Sequence, residues 1–168
     1  MGKQKLERTV WVSRHTLEVV LSHCKLRLSF LEDGLVRCRY VNSPVFEDIP
    51  SYGVAPEYRP APPELQAQDC RDHLQICTPR LSLHIRKEDG GLEFYDAQGT
   101  CLCADADGFG HRPNERTGDD FVWVQKQMPR KAHFLALGDK PGKLNLRGRR
   151  LEMWGADHYK FTPQSDPL

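Results

Sequence analysis

No apolar run in this chain approaches the ~20 residues needed to cross a bilayer, and the basic start, Met1 to Arg8, is followed by no apolar leader core. A net charge is almost absent as well. The 24 Lys and Arg against 23 Asp and Glu leave +1, so no general pull toward nucleic acid or an anionic membrane surface exists. Paired CxxC knuckles are missing, which argues against a structural zinc site. Cys24, Cys38, Cys70, Cys77, Cys101 and Cys103 instead read as reduced thiols acting as small hydrophobes in a cytoplasmic protein. His111, His133 and His158 have no carboxylate or second histidine at ligand spacing. The expectation is no metal and no cofactor.

A convincing helical period is also lacking. What is present is short alternation punctuated by turns. KLRLSFLE (25–32) places Leu26, Leu28 and Phe30 on one face and Lys25, Arg27 and Ser29 on the other. Asp33-Gly34 follows before LVRCRYV resumes, which predicts a hairpin with a type I′ turn and positive φ at both turn positions. HLQIC, LSLHIRK, GLEFYD and TCLCA then occupy residues 73–104, separated by Thr78-Pro79-Arg80, Asp89-Gly90 and Ala97-Gln98-Gly99. Strands this closely spaced pair antiparallel, because parallel neighbours need long crossovers. FVWVQKQ, HFLALG, KLNLRG and RRLEMWG are further strand candidates.

TLEVVLSHC is ambiguous. Leu17, Val20, Leu21 and Cys24 fit a helical stripe, while the β-branched pair Val19-Val20 and the flanking strands favour a strand. Two stretches read as loops: 43–69, with six prolines that deny ladder donors, and 105–120, which is polar and glycine-bearing. Length and pattern together predict an all-β chain, an antiparallel β-sandwich in a single domain spanning 1–168.

The last third is more specific. Leu137-Gly138-Asp139-Lys140, Leu144-Asn145, Gly148-Arg149-Arg150, Trp154-Gly155-Ala156-Asp157 and Asp166-Pro167-Leu168 follow one another in residues 134–168. In order and spacing this run resembles the segment of family 31 glycoside hydrolases that closes the N-terminal sandwich and leads into the (β/α)8 barrel. Asp139 stands where that family has Glu, Ala136 where it has Gly, and Gly155 where it has Asn. The resemblance implies a mutarotase-like sandwich, cut off before its barrel, with 158–168 as the exit segment. It also implies a non-catalytic domain of an α-glucosidase-type enzyme, whose partners are that barrel and an α-glucoside or oligosaccharide substrate.

Asp157 is then the substrate-binding candidate, on a loop reaching the barrel mouth; without the resemblance it reads as a turn aspartate. Trp154, Arg149 and Arg150 are candidates for the barrel interface or for positions near substrate. The retaining carboxylate pair of such enzymes belongs to barrel strands, so no catalytic residue is expected here. Gly138 and Gly148 suit turns that need unusual backbone angles. Tyr95, Trp11 and Trp123 read as core or interface aromatics. An apolar face normally covered by the barrel would let the chain self-associate.

Two rivals stay open. A stand-alone carbohydrate-binding module would present aromatics on a sheet face or in a cleft. A mutarotase-like epimerase would need a general acid and base converging on a sugar ring, for which His73, His84 and Glu93 lie on neighbouring strands. His84 alternates with Ser82 and Arg86, however, and reads as a solvated or loop-covered histidine.

Overall fold

A computed structural model describes residues 4–41, 45–47, 53–113, 120–135 and 143–151. Every regular element among them is a strand. β1 (Leu6–Ser13), β2 (Thr16–Leu21), β3 (Lys25–Glu32) and β4 (Leu35–Val41) form a four-stranded sheet in that order. β5 (Gln66–Asp69), β6 (His73–Cys77), β7 (Leu81–Arg86), β8 (Leu92–Asp96), β9 (Cys101–Pro113) and β10 (Asp120–Lys126) form a second, in the order β10-β9-β8-β7-β6-β5. All neighbouring pairs are antiparallel. The all-β sandwich is therefore the fold.

Period-two alternation builds the core. Leu17, Val19 and Leu21 on β2 and Leu26, Leu28 and Phe30 on β3 face Ile76, Leu83, Ile85 and Leu92 from the second sheet, all essentially buried. Each such side chain contributes about 1.5–3 kcal/mol by leaving water. One backbone bond, from Leu6 N–H to the Lys87 carbonyl at 3.1 Å, ties the two sheets, and the Thr78 hydroxyl donates to the Asp33 carbonyl at another point.

The ambiguous TLEVVL is a strand, with Val19 rather than Val20 fully buried, so the alternating face wins over the helical stripe. The Asp33-Gly34 hairpin forms, with Glu32 paired to Leu35. Gly34 nevertheless lacks the positive φ of a type I′ turn. A register irregularity between Phe30 and Glu32 supplies local twist instead. At the other predicted turns, Gly90 (φ 67°) and Gly99 (φ 80°) do adopt left-handed backbone.

Both loop expectations need correction. The proline-rich loop 43–69 ends in a strand, because Gln66–Asp69 pairs with Leu74–Cys77 as β5. In the polar loop expected at 105–120, residues 105–113 and 120 are strand, and 114–119 lie outside the described residues. β9 runs to Pro113 and pairs with β10 from Val124↔Phe109 to Asp120↔Pro113. Gly110 lies opposite Trp123, whose ring occupies the space a Cβ would need. Gly110, one of the glycines that made this stretch look like loop, thus admits a neighbour's indole.

Residues up to Gln127 make one compact unit and Met128–Leu168 a second. In the second, the described parts of HFLALG and KLNLRG are irregular rather than strands. Side chains replace the ladder there: Asn145 Oδ1 accepts from Phe134 N (3.1 Å) and Arg147 N (3.1 Å), and the Arg147 guanidinium donates to the Pro129 (2.8 Å) and Ala132 (2.9 Å) carbonyls. Gly148 has φ 77°, as its turn role requires. RRLEMWG lies mostly outside the described residues, as does Gly138.

Candidate functional site

Because Leu81, Leu83 and Ile85 point inward, β7 turns Ser82, His84 and Arg86 to the opposite face of the six-stranded sheet. Strand register then lines up polar rows on that outer face. Gln75 lies beside His84, which lies beside Glu93; Cys77 lies beside Ser82, which lies beside Tyr95. His73 and His84 stack with ring centroids 4.3 Å apart, and His84 meets Tyr95 at 4.6 Å. Three rings thus form a ladder across β6, β7 and β8. Asp72 Oδ1 anchors its outer end through His73 Nδ1 at 2.8 Å.

Arg86 is the hub beside the ladder. Its guanidinium donates to Asp89 Oδ1 and Oδ2 (2.9 and 2.8 Å), to Glu93 Oε1 (2.9 Å) and to the Asp105 carbonyl (2.8 Å). Hydrogen bonding to Asp89 leads the causes that raise its pKa. Glu93 also accepts from the Tyr95 hydroxyl at 2.7 Å. Burial acts to raise the Glu93 carboxyl, but the bonds from Tyr95 and Arg86 outweigh it and hold the group below its ordinary value. The same bond, helped by burial, pushes the Tyr95 phenol up to about 12. Beside the ladder, an open groove of about 530 Å³ runs between the β6–β7 and β8–β9 turns, with His84, Tyr95 and Ser82 in its lining.

Burial, and then the neighbouring His73, hold the His84 imidazole below its ordinary 6.5 against the opposing pull of Glu93 and Asp72. A depressed folded pKa means that the fold favours neutral His84. Stability from this source is complete above pH 6.5 and is lost as pH falls through the depressed value. The urea midpoint is expected to drop on acidification below pH 6.5, and His84→Gln to flatten that part of the profile. An unchanged profile in the variant would assign the drop to another group.

Among the predicted site residues, Asp157 and Trp154 lie outside the described residues. Arg149 and Arg150 are exposed on an irregular segment, not alternating on a strand as expected, and Arg149 N donates to the Leu146 carbonyl at 3.2 Å. His73, His84 and Glu93 do come together. Yet the Glu93 carboxylate is occupied by Arg86 and Tyr95, which leaves it no ready role as a general base. Trp11 is exposed (44%) rather than core. Sequence reasoning missed Arg86, Asp89 and Asp105, whose pairing depends on strand register and left no local motif. Among the described residues, no group of three or more His, Cys, Asp or Glu is arranged to hold a metal ion.

Residues 25–168 match the family described as the glycosyl hydrolase 31 N-terminal galactose mutarotase-like domain. A curated relative, alpha-glucosidase 2 of Bacillus thermoamyloliquefaciens, is 26% identical over 158 residues, covering 92% of this chain. The chain spans only 19% of that relative's length. Among solved structures, a GH31 dextranase of Flavobacterium johnsoniae superposes with a TM-score of 0.78 at 19% identity, over 100% of this chain and 20% of that one. A GH31 alpha-xylosidase of Xanthomonas citri gives 0.58 at 23% identity, over 72% of this chain and 14% of its own. At these identities the structural likeness speaks to the fold.

Proposed function

Because this chain belongs to the glycosyl hydrolase 31 N-terminal galactose mutarotase-like domain family, we propose that it serves an α-glucosidase-type enzyme as a non-catalytic domain, bracing a (β/α)8 barrel and lending a loop around Asp157 to the substrate site. One observation carries this reading: the family match runs through the motif series 134–168, in a chain that spans about a fifth of its curated relative. The remaining four-fifths of such a relative has room for the barrel and its two carboxylates. In this reading 1–168 is one domain and 158–168 its exit segment. Trp154, Arg149 and Arg150 face the barrel, and an α-glucoside or oligosaccharide is the substrate, handled in the cytoplasm.

The exposed Arg149 and Arg150 fit an interface role. So do the exposed apolar side chains Val10, Trp11 and Val12 of β1, which also give an isolated chain exposed apolar area for self-association. The epimerase reading is not favoured, because Glu93 is already held by two donors.

The 168-residue chain by itself is expected to show no hydrolysis of 4-nitrophenyl α-glucoside, and the longer polypeptide that contains it to show hydrolysis. In the longer enzyme, Asp157→Ala is expected to lower kcat/KM by roughly 10–100-fold, the loss of one charge-assisted hydrogen bond of about 1.5–3 kcal/mol. Turnover by the 168-residue chain would end the non-catalytic reading. An unaltered kcat/KM would remove Asp157 from the substrate site.

A further inference from the structure

The groove on the outer face of the six-stranded sheet has the size and chemistry of a ligand site, and nothing in the barrel reading uses it. Its volume of about 530 Å³ falls within the ~300–1,000 Å³ typical of small-molecule sites. Its rims are pre-formed. At one end Thr78 Oγ1 accepts from Leu81 N (2.9 Å) and Arg80 N (3.2 Å). At the other, Asp96 Oδ1 accepts from Gln98 N (2.9 Å) and Thr100 N (2.7 Å), and Gly99 takes left-handed backbone. A ligand would meet turns that are already shaped, so little ordering entropy opposes binding.

The lining decides the class of ligand. No Lys or Arg lines the groove, and the one charged side chain there is the Asp96 carboxylate. Phosphates, nucleotides and carboxylates are therefore disfavoured. The remaining polar groups are uncharged donors and acceptors. The Gln75 amide donates to Ser82 Oγ at 3.1 Å, and Ser82 also contacts Cys77 Sγ at 3.4 Å. Tyr95, hydrogen-bonded to Glu93, adds aromatic surface on the side away from His84, while His84, held between His73 and Tyr95, adds its ring edge. Flat aromatic surface beside amide, hydroxyl and carboxylate groups matches a ligand with apolar C–H faces and a rim of hydroxyls.

We propose that this groove binds a neutral pyranose saccharide, with Tyr95 as the ring platform and Ser82, Gln75 and Asp96 as its hydroxyl partners. All of its lining residues fall within residues 75–99, so the proposal does not depend on the barrel being present. The whole 168-residue chain should bind glucose, maltotriose or isomaltotriose in isothermal titration or ligand-observed NMR with a millimolar Kd, the level of about −4 kcal/mol.

Tyr95→Ala is expected to weaken binding at least tenfold. Ser82→Ala removes one hydroxyl from the outer face without touching the core and should weaken it several-fold. Glu64→Gln, outside the groove, should leave it unchanged. Absence of binding by the folded chain at 50 mM saccharide, roughly 50-fold above a 1 mM Kd, would overturn the proposal. So would binding that both Tyr95→Ala and Ser82→Ala leave intact, or tighter binding of inorganic phosphate or a nucleotide than of any saccharide. Because the readout is binding by this chain, it is separate from the hydrolysis assays that test the barrel reading.

Discussion

Arg86→Ala is expected to lower the unfolding free energy by about 3 kcal/mol at pH 7, at the low end of the ~3–5 kcal/mol found when one partner of a buried ion pair is removed. The guanidinium makes four hydrogen bonds to three residues, and its side chain is 23% exposed against 10% for Asp89 and 21% for Glu93. Removing it leaves two part-buried carboxylates close together with no cation between them, and one buried carbonyl without its donor. Partial exposure of all three side chains lets water recover some of the loss, which sets the estimate at the lower bound. Arg86→Lys keeps the charge but not the fork, since an ammonium cannot bind Asp89 with two parallel bonds while also reaching Glu93 and the Asp105 carbonyl. It should therefore lose more than half as much stability as alanine.

A urea titration read by tryptophan fluorescence would show the midpoint falling with the slope unchanged. A loss below about 1 kcal/mol would mean that the network behaves like exposed surface pairs. The consequence reaches the groove as well. Arg86 positions Glu93, Glu93 holds the Tyr95 hydroxyl, and Tyr95 lies against His84, so the alanine variant should also loosen the ring ladder.

Much of this molecule was readable before any coordinates. Where apolar and polar residues alternate, as in KLRLSF or LSLHIR, every second side chain is buried, because a one-residue slip would send the whole set to water. Turns carried by glycine after aspartate or glutamine were equally plain. The edges were not. β5 (QAQD) is exposed at every position, and β10 closes the far edge against a β9 rich in glycine and charge. Such strands are held by main-chain ladder bonds to a partner distant in sequence, and their composition resembles that of a loop.

The candidate site divides in the same way. His84 and Tyr95 were visible as outward residues, and their stacking follows from register. Arg86, Asp89 and Asp105 looked like ordinary surface charge, because nothing local announces that residues 86 and 105 will meet. Asp157 and Trp154 drew their importance from resemblance alone, and they lie outside the described residues.

Asp105 makes the second large prediction. It is fully buried, Oδ2 accepts the Leu92 backbone N–H at 2.9 Å, and the Lys126 ammonium closes on Oδ1 as an ion pair rather than an aligned hydrogen bond. Asp105→Ala is expected to destabilise the fold by about 2–3 kcal/mol, below the ~3–5 kcal/mol of a fully buried pair because the lysine partner reaches solvent. Two physical sources compete for that loss: a buried amide left without its acceptor, about 1–3 kcal/mol, and a stranded ammonium. Lys126 is 42% exposed on its side chain, so its charge can swing out to water, and the orphaned Leu92 amide should dominate.

Asp105→Asn keeps an acceptor for that amide and should lose clearly less than alanine. Adding Lys126→Met to Asp105→Ala should restore little. If the double variant instead regains most of the lost stability, the stranded cation is the main term, and the carboxylate serves the lysine rather than the strand.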